Sequence, residues 1–317
     1  TAAEIRLEGA ARSLDGPLLV LEREIDCGLM DAVEILDGDG RARLGRVVAL
    51  RPDSIVVDIH ASGRDLPLTG LRGRFHGKPL TFGVGPGLMG RILDGTGTPI
   101  DGGPPLTVRA EHPVGGAPIN PVGRDLPVDF IETGITAIDL LNALVRGQKL
   151  PLFSGGGMPH DRLAIRIAQH ARLLGERDEA FALVFAGIGV SHTTAQLFRS
   201  AIEESGALSR TVMFLNLADE SSAQRLLAPR YALTAAEYLA FTEGLHVLVV
   251  MTDMTSYCEA LREVSAGHGE IPARKGYPGY MYSDLASLFE RAGRVRGCPG
   301  SLTQLPILTM PGDDITH

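Results

Sequence analysis

The second half of the chain is dominated by apolar segments separated by helix-forming sequence. Apolar runs lie at 181 to 186, 211 to 217, 246 to 253 and 301 to 310. Such composition is typical of strands that are buried on both faces. Helical periodicity lies between them, as at 161 to 174, where Leu163, Ile167, Ala171 and Leu174 share one face. The alternation predicts an α/β fold with a mostly parallel sheet and helices on both sides.

Residues 1 to 74 have a different pattern, with short β-forming runs broken by glycine and aspartate. Turn signals such as DGDG at 37 to 40 recur about every ten residues, which predicts a small N-terminal β-barrel. Residues 75 to 128 are rich in glycine and proline, which oppose long helices and strands. We therefore expect an irregular connector at the start of a second domain, residues 75 to 317.

The composition of the whole chain disfavours several classes of protein. A net charge of −8 and the lack of a basic run disfavour binding to nucleic acid. The apolar runs are shorter than the roughly 20 residues that a membrane-spanning helix needs. Cys27, Cys258 and Cys298 lack C-x-x-C spacing and fit reduced thiols in a cytosolic protein. The nine histidines form no H-E-x-x-H pair, so no metal site is predicted, and His246 is expected in the core.

A glycine-rich segment, SGGGMPHD at 154 to 161, follows an apolar run and precedes a predicted helix. Phosphate-binding loops, G-x-x-x-x-G-K-[ST], combine backbone amides with a lysine for the phosphates and a hydroxyl for magnesium. With Ser154 at the first glycine position, His160 replaces the lysine and Asp161 the hydroxyl residue. Aspartate suits a helix start but repels a triphosphate, so we expect a loop kept for its shape. The candidate residues of this degenerate loop are Ser154, Gly155, Gly156, Gly157, His160 and Asp161.

Two further parts of a phosphoryl-transfer site are incomplete. Asp253 ends the apolar run at 246 to 253, where P-loop enzymes place a carboxylate for magnesium. Without a hydroxyl on the loop the ion would lack a partner, and a structural or water-mediated role of Asp253 is favoured. The segment 182 to 202 contains no Asp or Glu that could orient an attacking water.

Two other glycine motifs carry weaker signals. Gly85, Gly87 and Gly90 satisfy G-x-G-x-x-G, but a dinucleotide fingerprint opens a helix and the sequence after them is rich in turns. The near-match to a P-loop at 73 to 79 lacks the required hydroxyl residue, which Pro79 replaces. Neither motif is favoured as a cofactor site, although a small-molecule enzyme using the first of them would carry bound dinucleotide.

Several long segments together carry the pattern of a known family. They are TGITAIDLLNALVRGQKLPLFSGGGMPH at 133 to 160, ALTAAEYLAF at 232 to 241, HVLVVMTDMTSYCEALREVS at 246 to 265, KGYPGYMYSDLASLFERAGR at 275 to 294 and GSLTQLPILTMPGDDITH at 300 to 317. The chain resembles the non-catalytic B subunit of V-type and archaeal A-type rotary ATPases over essentially its whole length. The resemblance implies an N-terminal β-barrel, a RecA-like P-loop-type α/β domain and a C-terminal helical bundle. We expect the sequence to stop before that bundle.

The resemblance also implies a function. A B subunit is regulatory, alternates with catalytic A subunits in a ring, and contacts central and peripheral stalk subunits. Such a chain would be cytoplasmic, peripheral to the membrane and only indirectly connected to the membrane ring, which moves protons or sodium. It would bind no cofactor alone but help to form Mg-ATP/ADP sites at the interface with A. The arginine finger of the family is expected beyond residue 317.

The same resemblance suggests where the A subunit would be contacted. Tyr277, Tyr280 and Arg291 are candidate interface residues, since tyrosine and arginine are enriched at interfaces. Packing within the chain is an equal alternative for them. An alternative function for the whole chain is a self-sufficient P-loop ATPase of the flagellar or secretion type.

Overall fold

A computed structural model describes residues 7–15, 18–23, 25–39, 42–60, 68–173 and 180–316. The chain divides into two compact units, of which the first comprises residues 1–81 with 220–224 and the second residues 82–219 with 225–317. Among the described residues, no helix combines the length and the apolar character needed to cross a bilayer.

The first unit is built around a closed β-barrel. Its strands are β1 (Leu7–Asp15), β2 (Leu18–Glu22), β3 (Asp31–Leu36), β4 (Ala42–Leu50), β5 (Ser54–Ile59) and β6 (Arg72–Pro79). They pair antiparallel in the order β1-β2-β5-β4-β3-β6, and β6 closes on β1. Leu19 and Leu21 of β2 point inward while their neighbours are partly exposed, so alternation fills the interior with apolar side chains. The predicted barrel is confirmed, and its last strand continues beyond residue 74.

The remaining strands and the α-helices lie in the second unit, apart from Thr81 of β7 and residues 222–224 of α4. The strands are β7 (Thr81–Val84), β8 (Ile92–Asp94), β9 (Ala110–Pro113), β10 (Arg124–Asp125), β11 (Phe130–Glu132), β12 (Leu144–Val145), β13 (Leu152–Ser154), β14 (Arg172–Leu173), β15 (Phe181–Val190), β16 (Thr211–Leu217), β17 (His246–Thr252), β18 (Gly293–Val295) and β19 (Ser301–Thr309). The helices are α1 (Thr136–Leu141), α2 (His160–His170), α3 (His192–Glu204), α4 (Ser222–Glu237), α5 (Met254–Gly267) and α6 (Met281–Phe289).

An eight-stranded sheet forms the centre of this unit, in the order β10-β18-β19-β17-β15-β16-β8, with β13 also paired to β19. The pairs β13/β19, β19/β17, β17/β15, β15/β16 and β16/β8 are parallel, whereas β18 and β10 run antiparallel. Helices α2, α3 and α5 pack against the central strands, which explains why those strands are so apolar. The predicted α/β class with a mostly parallel sheet is confirmed.

Two local expectations differ from the structure. Helix α2 ends at His170, because Ala171 leaves the helical conformation with ψ of 128° and the chain continues into β14, which pairs with β11. Leu174, the last predicted residue of the helix, lies outside the described residues. The connector at 75–128 is not wholly irregular, since β8 within it pairs in parallel with β16 at the end of the sheet.

His246 is buried at the start of β17, as its position in the apolar run predicts. Its Nδ1 lies 2.9 Å from Ser301 Oγ and its Nε2 lies 3.1 Å from an Arg146 nitrogen. The ring is therefore a core residue with polar partners. The cysteines at 27, 258 and 298 are free and partly buried.

Gly300, just before β19, allows the backbone to pack closely against the segment that follows α4. A β-carbon at this position would lie 2.0 Å from the Ala240 carbonyl oxygen and 2.6 Å from that of Leu245. Gly300→Ala is therefore expected to lower the free energy of unfolding by about 1–3 kcal/mol, since backbone atoms must move. Urea denaturation measures this change.

Gly115→Ala is the matched control, because no atom lies within 4 Å of a β-carbon there. Its effect should stay within about 0.5 kcal/mol, as for other exposed substitutions. Equal stability of the two variants would contradict the close contact at Gly300.

Candidate functional site

Strand pairing brings three segments to one edge of the sheet. Parallel β13 and β19 pair Ser154 with Thr309, and parallel β17 and β19 pair Met251 with Pro306. The carboxyl ends of the three strands therefore lie side by side, where open α/β sheets bind ligands. The glycine loop follows β13, Asp253 follows β17, and the segment from residue 310 follows β19.

The glycine loop turns tightly into α2. The Met158 amide donates to the Gly155 carbonyl at 3.3 Å, and the His160 amide donates to the Met158 carbonyl at 2.8 Å. Gly157 has φ of 75°, a left-handed conformation that glycine adopts without a steric cost. Pro159 precedes the helix and has no side-chain oxygen to cap its amides. The loop thus forms a glycine turn that leads into α2 without a side-chain cap at Pro159.

The side chain that replaces the P-loop lysine lies against the protein. His160 Nδ1 is 3.0 Å from the Met158 carbonyl oxygen, and its Nε2 is 3.5 Å from Thr309 Oγ1. A P-loop lysine instead reaches along the phosphates as a flexible cation. In this arrangement the His160 ring does not extend along the position of the phosphates.

Asp253 binds backbone amides. Its Oδ1 accepts hydrogen bonds from the amide of Thr255 at 2.9 Å and from that of Thr309 at 3.1 Å. The first contact caps α5 and the second ties the end of β17 to β19. These bonds support a structural role of this carboxylate.

Asp161 lies in the first turn of α2, partly buried beside Asp253 and His160. Burial raises the pKa of Asp161 above its ordinary value of 3.8, and the Asp253 charge raises it further, while His160 acts in the opposite direction. A residue at this position in a working P-loop would ligate magnesium through a hydroxyl. Asp161 instead adds negative charge next to the loop.

Asp313, which no sequence motif singles out, contacts the glycine loop directly. Its Oδ1 accepts a hydrogen bond from the Gly156 amide at 2.6 Å. The two residues are 157 positions apart, and only the pairing of β13 with β19 brings them together. The signal in the sequence was limited to the place of Asp313 just after a predicted strand.

The residues around the loop do not fit a magnesium triphosphate held by this chain alone. A loop amide is engaged by a carboxylate, and His160 replaces the lysine. The described residues contain no group of three or more His, Cys, Asp or Glu side chains arranged to hold a metal ion. Negative charge at Asp161, Asp253 and Asp313 would oppose a polyphosphate.

The candidate interface residues lie in different environments. Arg291 is completely buried, and its guanidinium forms two hydrogen bonds of 2.6 Å to the Glu237 carboxylate. Arg291 therefore stabilises the interior between α4 and the end of α6, which agrees with the alternative of packing within the chain. Tyr277 is nearly buried and donates to Glu259 at 2.6 Å, whereas Tyr280 is 42% exposed.

The glycine triplet opens no α-helix. Gly85 precedes a single 3-10 turn at Pro86–Leu88, and a β-carbon on Gly85 would lie 2.3 Å from the Thr107 carbonyl oxygen. Gly85 permits close backbone packing there. A dinucleotide fingerprint requires a longer helix at this point.

The sequence profile of the "ATP synthase alpha/beta family, nucleotide-binding domain" matches residues 134–317. The chain is 53% identical over 305 residues to the "V-type ATP synthase beta chain 2" of Treponema pallidum (strain Nichols). This alignment covers 96% of the chain and 63% of that relative, so the chain spans less than two thirds of the relative's length.

The raised pKa of Asp161 predicts a pH dependence of stability. The folded state holds this proton more tightly than the unfolded state, so stability falls as pH rises from about 3.8 through the folded pKa. Asp161→Asn should remove this part of the slope and be relatively more stable near pH 7. Urea unfolding between pH 3.5 and 7 tests this, with exposed Asp125→Asn as control. Parallel curves for wild type and Asp161→Asn would contradict it.

The buried ion pair predicts a large effect on stability. Arg291→Met would leave the Glu237 carboxylate without its main partner and should cost about 3–5 kcal/mol of unfolding free energy. Arg199→Met breaks an exposed pair with Glu203 on α3 and should cost less than about 1 kcal/mol. Chemical denaturation compares the two. Similar small losses in both variants would mean that the Arg291 pair does not hold the interior together.

Proposed function

Because this chain belongs to the ATP synthase alpha/beta family, we propose that it is the regulatory, non-catalytic B subunit of a V-type or A-type rotary ATPase or ATP synthase. The similarity to a V-type ATP synthase beta chain supports this type of complex. The barrel and the α/β unit would be the N-terminal and central parts of a longer subunit.

One observation carries the non-catalytic role. At the glycine loop, His160 and Asp161 occupy the positions of the cation and the hydroxyl, and the Gly156 amide binds a carboxylate. Phosphoryl transfer relies on positive groups that neutralise charge on the transferred phosphate. A loop surrounded by negative charge supplies the opposite field, so catalysis would depend on a neighbouring subunit.

The proposed role implies a nucleotide ligand and several partner subunits. Mg-ATP or ADP would bind at the interface with a catalytic A subunit, and the degenerate loop with Ser154, His160, Asp161 and Asp253 would face that site. Tyr280, which is exposed, is the clearest remaining interface candidate, whereas Tyr277 is buried in this chain. The subunit would contact the stalk subunits, lie in the cytoplasm beside the membrane, and serve proton or sodium transport only through the assembled complex.

Turnover and assembly together test this role. Alone, the chain should not hydrolyse Mg-ATP above background, and mixed with a purified A subunit it should form a mixed complex in analytical ultracentrifugation. Its rival, a self-sufficient ATPase of the flagellar or secretion type, would instead hydrolyse Mg-ATP alone and assemble with itself. That result would overturn the proposed role.

A second variant tests the electrostatic reason. His160→Lys combined with Asp161→Thr restores the cation and the hydroxyl of a P-loop and should tighten Mg-ATP binding about tenfold or more. His170→Lys, at the far end of the same helix, is the control. Equal affinity of the restored and control variants would show that these two positions do not decide nucleotide binding.

A further inference from the structure

The carboxylate of Asp313 lies where a loop of this kind binds a phosphate oxygen. Its Oδ1 is 2.6 Å from the Gly156 amide nitrogen. The same oxygen would be 2.8 Å from a β-carbon placed on Gly155 and 3.7 Å from one on Gly156. The carboxylate therefore contacts the peptide group that joins Gly155 and Gly156. Because Gly155 has no side chain, there is space for the carboxylate at this place.

The chain holds Asp313 in this place through its neighbours. The Met310 amide donates to the Ser154 carbonyl at 2.8 Å and thereby continues the pairing of β19 with β13. Asp313 itself has φ of 58°, and its amide donates to the Met310 carbonyl at 3.2 Å. Asp314 next to it contacts Lys275 at 3.5 Å. A short turn bound at both ends thus presents the carboxylate to the loop.

A carboxylate and a phosphate compete for the same donors. Both are anionic oxygen acceptors, and backbone amides of glycine turns bind either one. We propose that Asp313 is an internal plug of the glycine loop, which a phosphate group can contact only after the carboxylate has moved away. The plug acts through a hydrogen bond and through its charge, and it would do so in a catalytic or a non-catalytic subunit alike.

The contact also predicts how removal of the Asp313 carboxylate would change the affinity of the loop for phosphate. Without Asp313, the Gly156 amide loses its acceptor and the loop loses one negative charge, while His160, Asp161 and Asp253 stay in place. A phosphate anion should then bind the loop more tightly. The gain should depend on the contact with the loop and not merely on the net charge of the segment.

Titration with inorganic pyrophosphate, followed by the NMR signals of the amides of residues 155 to 157, tests the plug. Asp313→Ala should bind about tenfold more tightly than wild type, as expected for loss of one nearby charge and one competing acceptor. Asp313→Asn, which keeps the shape of the side chain, should show a smaller gain in the same direction. A second titration with ATP distinguishes a nucleotide from a free phosphate as the ligand.

Asp314→Ala is the matched control, since it removes the same charge one residue away. The Asp314 carboxylate binds the Thr316 amide and Lys275. The pyrophosphate affinity of this variant should stay within about twofold of wild type. Equal tightening in Asp314→Ala, or none in the two Asp313 variants, would overturn the plug. If Asp313→Ala melts below wild type, Asp313→Asn decides the result.

Discussion

The parallel pairing of β13, β19 and β17 is the constraint on which the site depends. It places the ends of three strands side by side, although the residues that follow them are far apart in sequence. Parallel strands buried on both faces are mostly apolar, and ligands of open α/β sheets bind at the edge where the strands end. The glycine loop, Asp253 and Asp313 meet there for this reason.

The charge of the side chains at this edge of the sheet determines whether the glycine loop can bind a phosphate. The loop keeps the glycine turn and the helix start of a phosphate site, but the groups around it are acidic. In the interior, by contrast, the buried Arg291 guanidinium donates two short hydrogen bonds to the Glu237 carboxylate, so that opposite charges are paired. Near the loop, Asp253 and Asp313 instead accept hydrogen bonds from backbone amides, and Asp161 lies 3.6 Å from the His160 ring. In the proposed role, such a site would shape a neighbour's chemistry instead of performing its own.

Much of the fold could be predicted from composition, because strands such as β16 and β17 are mostly apolar and buried, with polar residues mainly near their ends. The end of α2 could not, since Ala171 is helix-forming and leaves the helix only because the next residues pair with β11. The same limit applies to the site. His160 and Asp161 follow the glycines within four residues, so the loop motif identifies them. The contact of Asp313 with the loop and that of Glu237 with Arg291 depend on tertiary structure, which one sequence does not reveal.

The central claim is that this loop cannot hold a magnesium triphosphate by itself. A crystal structure of the chain grown with excess magnesium and a non-hydrolysable ATP analogue tests this most directly. The account predicts that the Asp313 carboxylate stays on the Gly156 amide, with no triphosphate bound along the loop. A well-ordered magnesium triphosphate wrapped by residues 154 to 161 of this chain alone would contradict it.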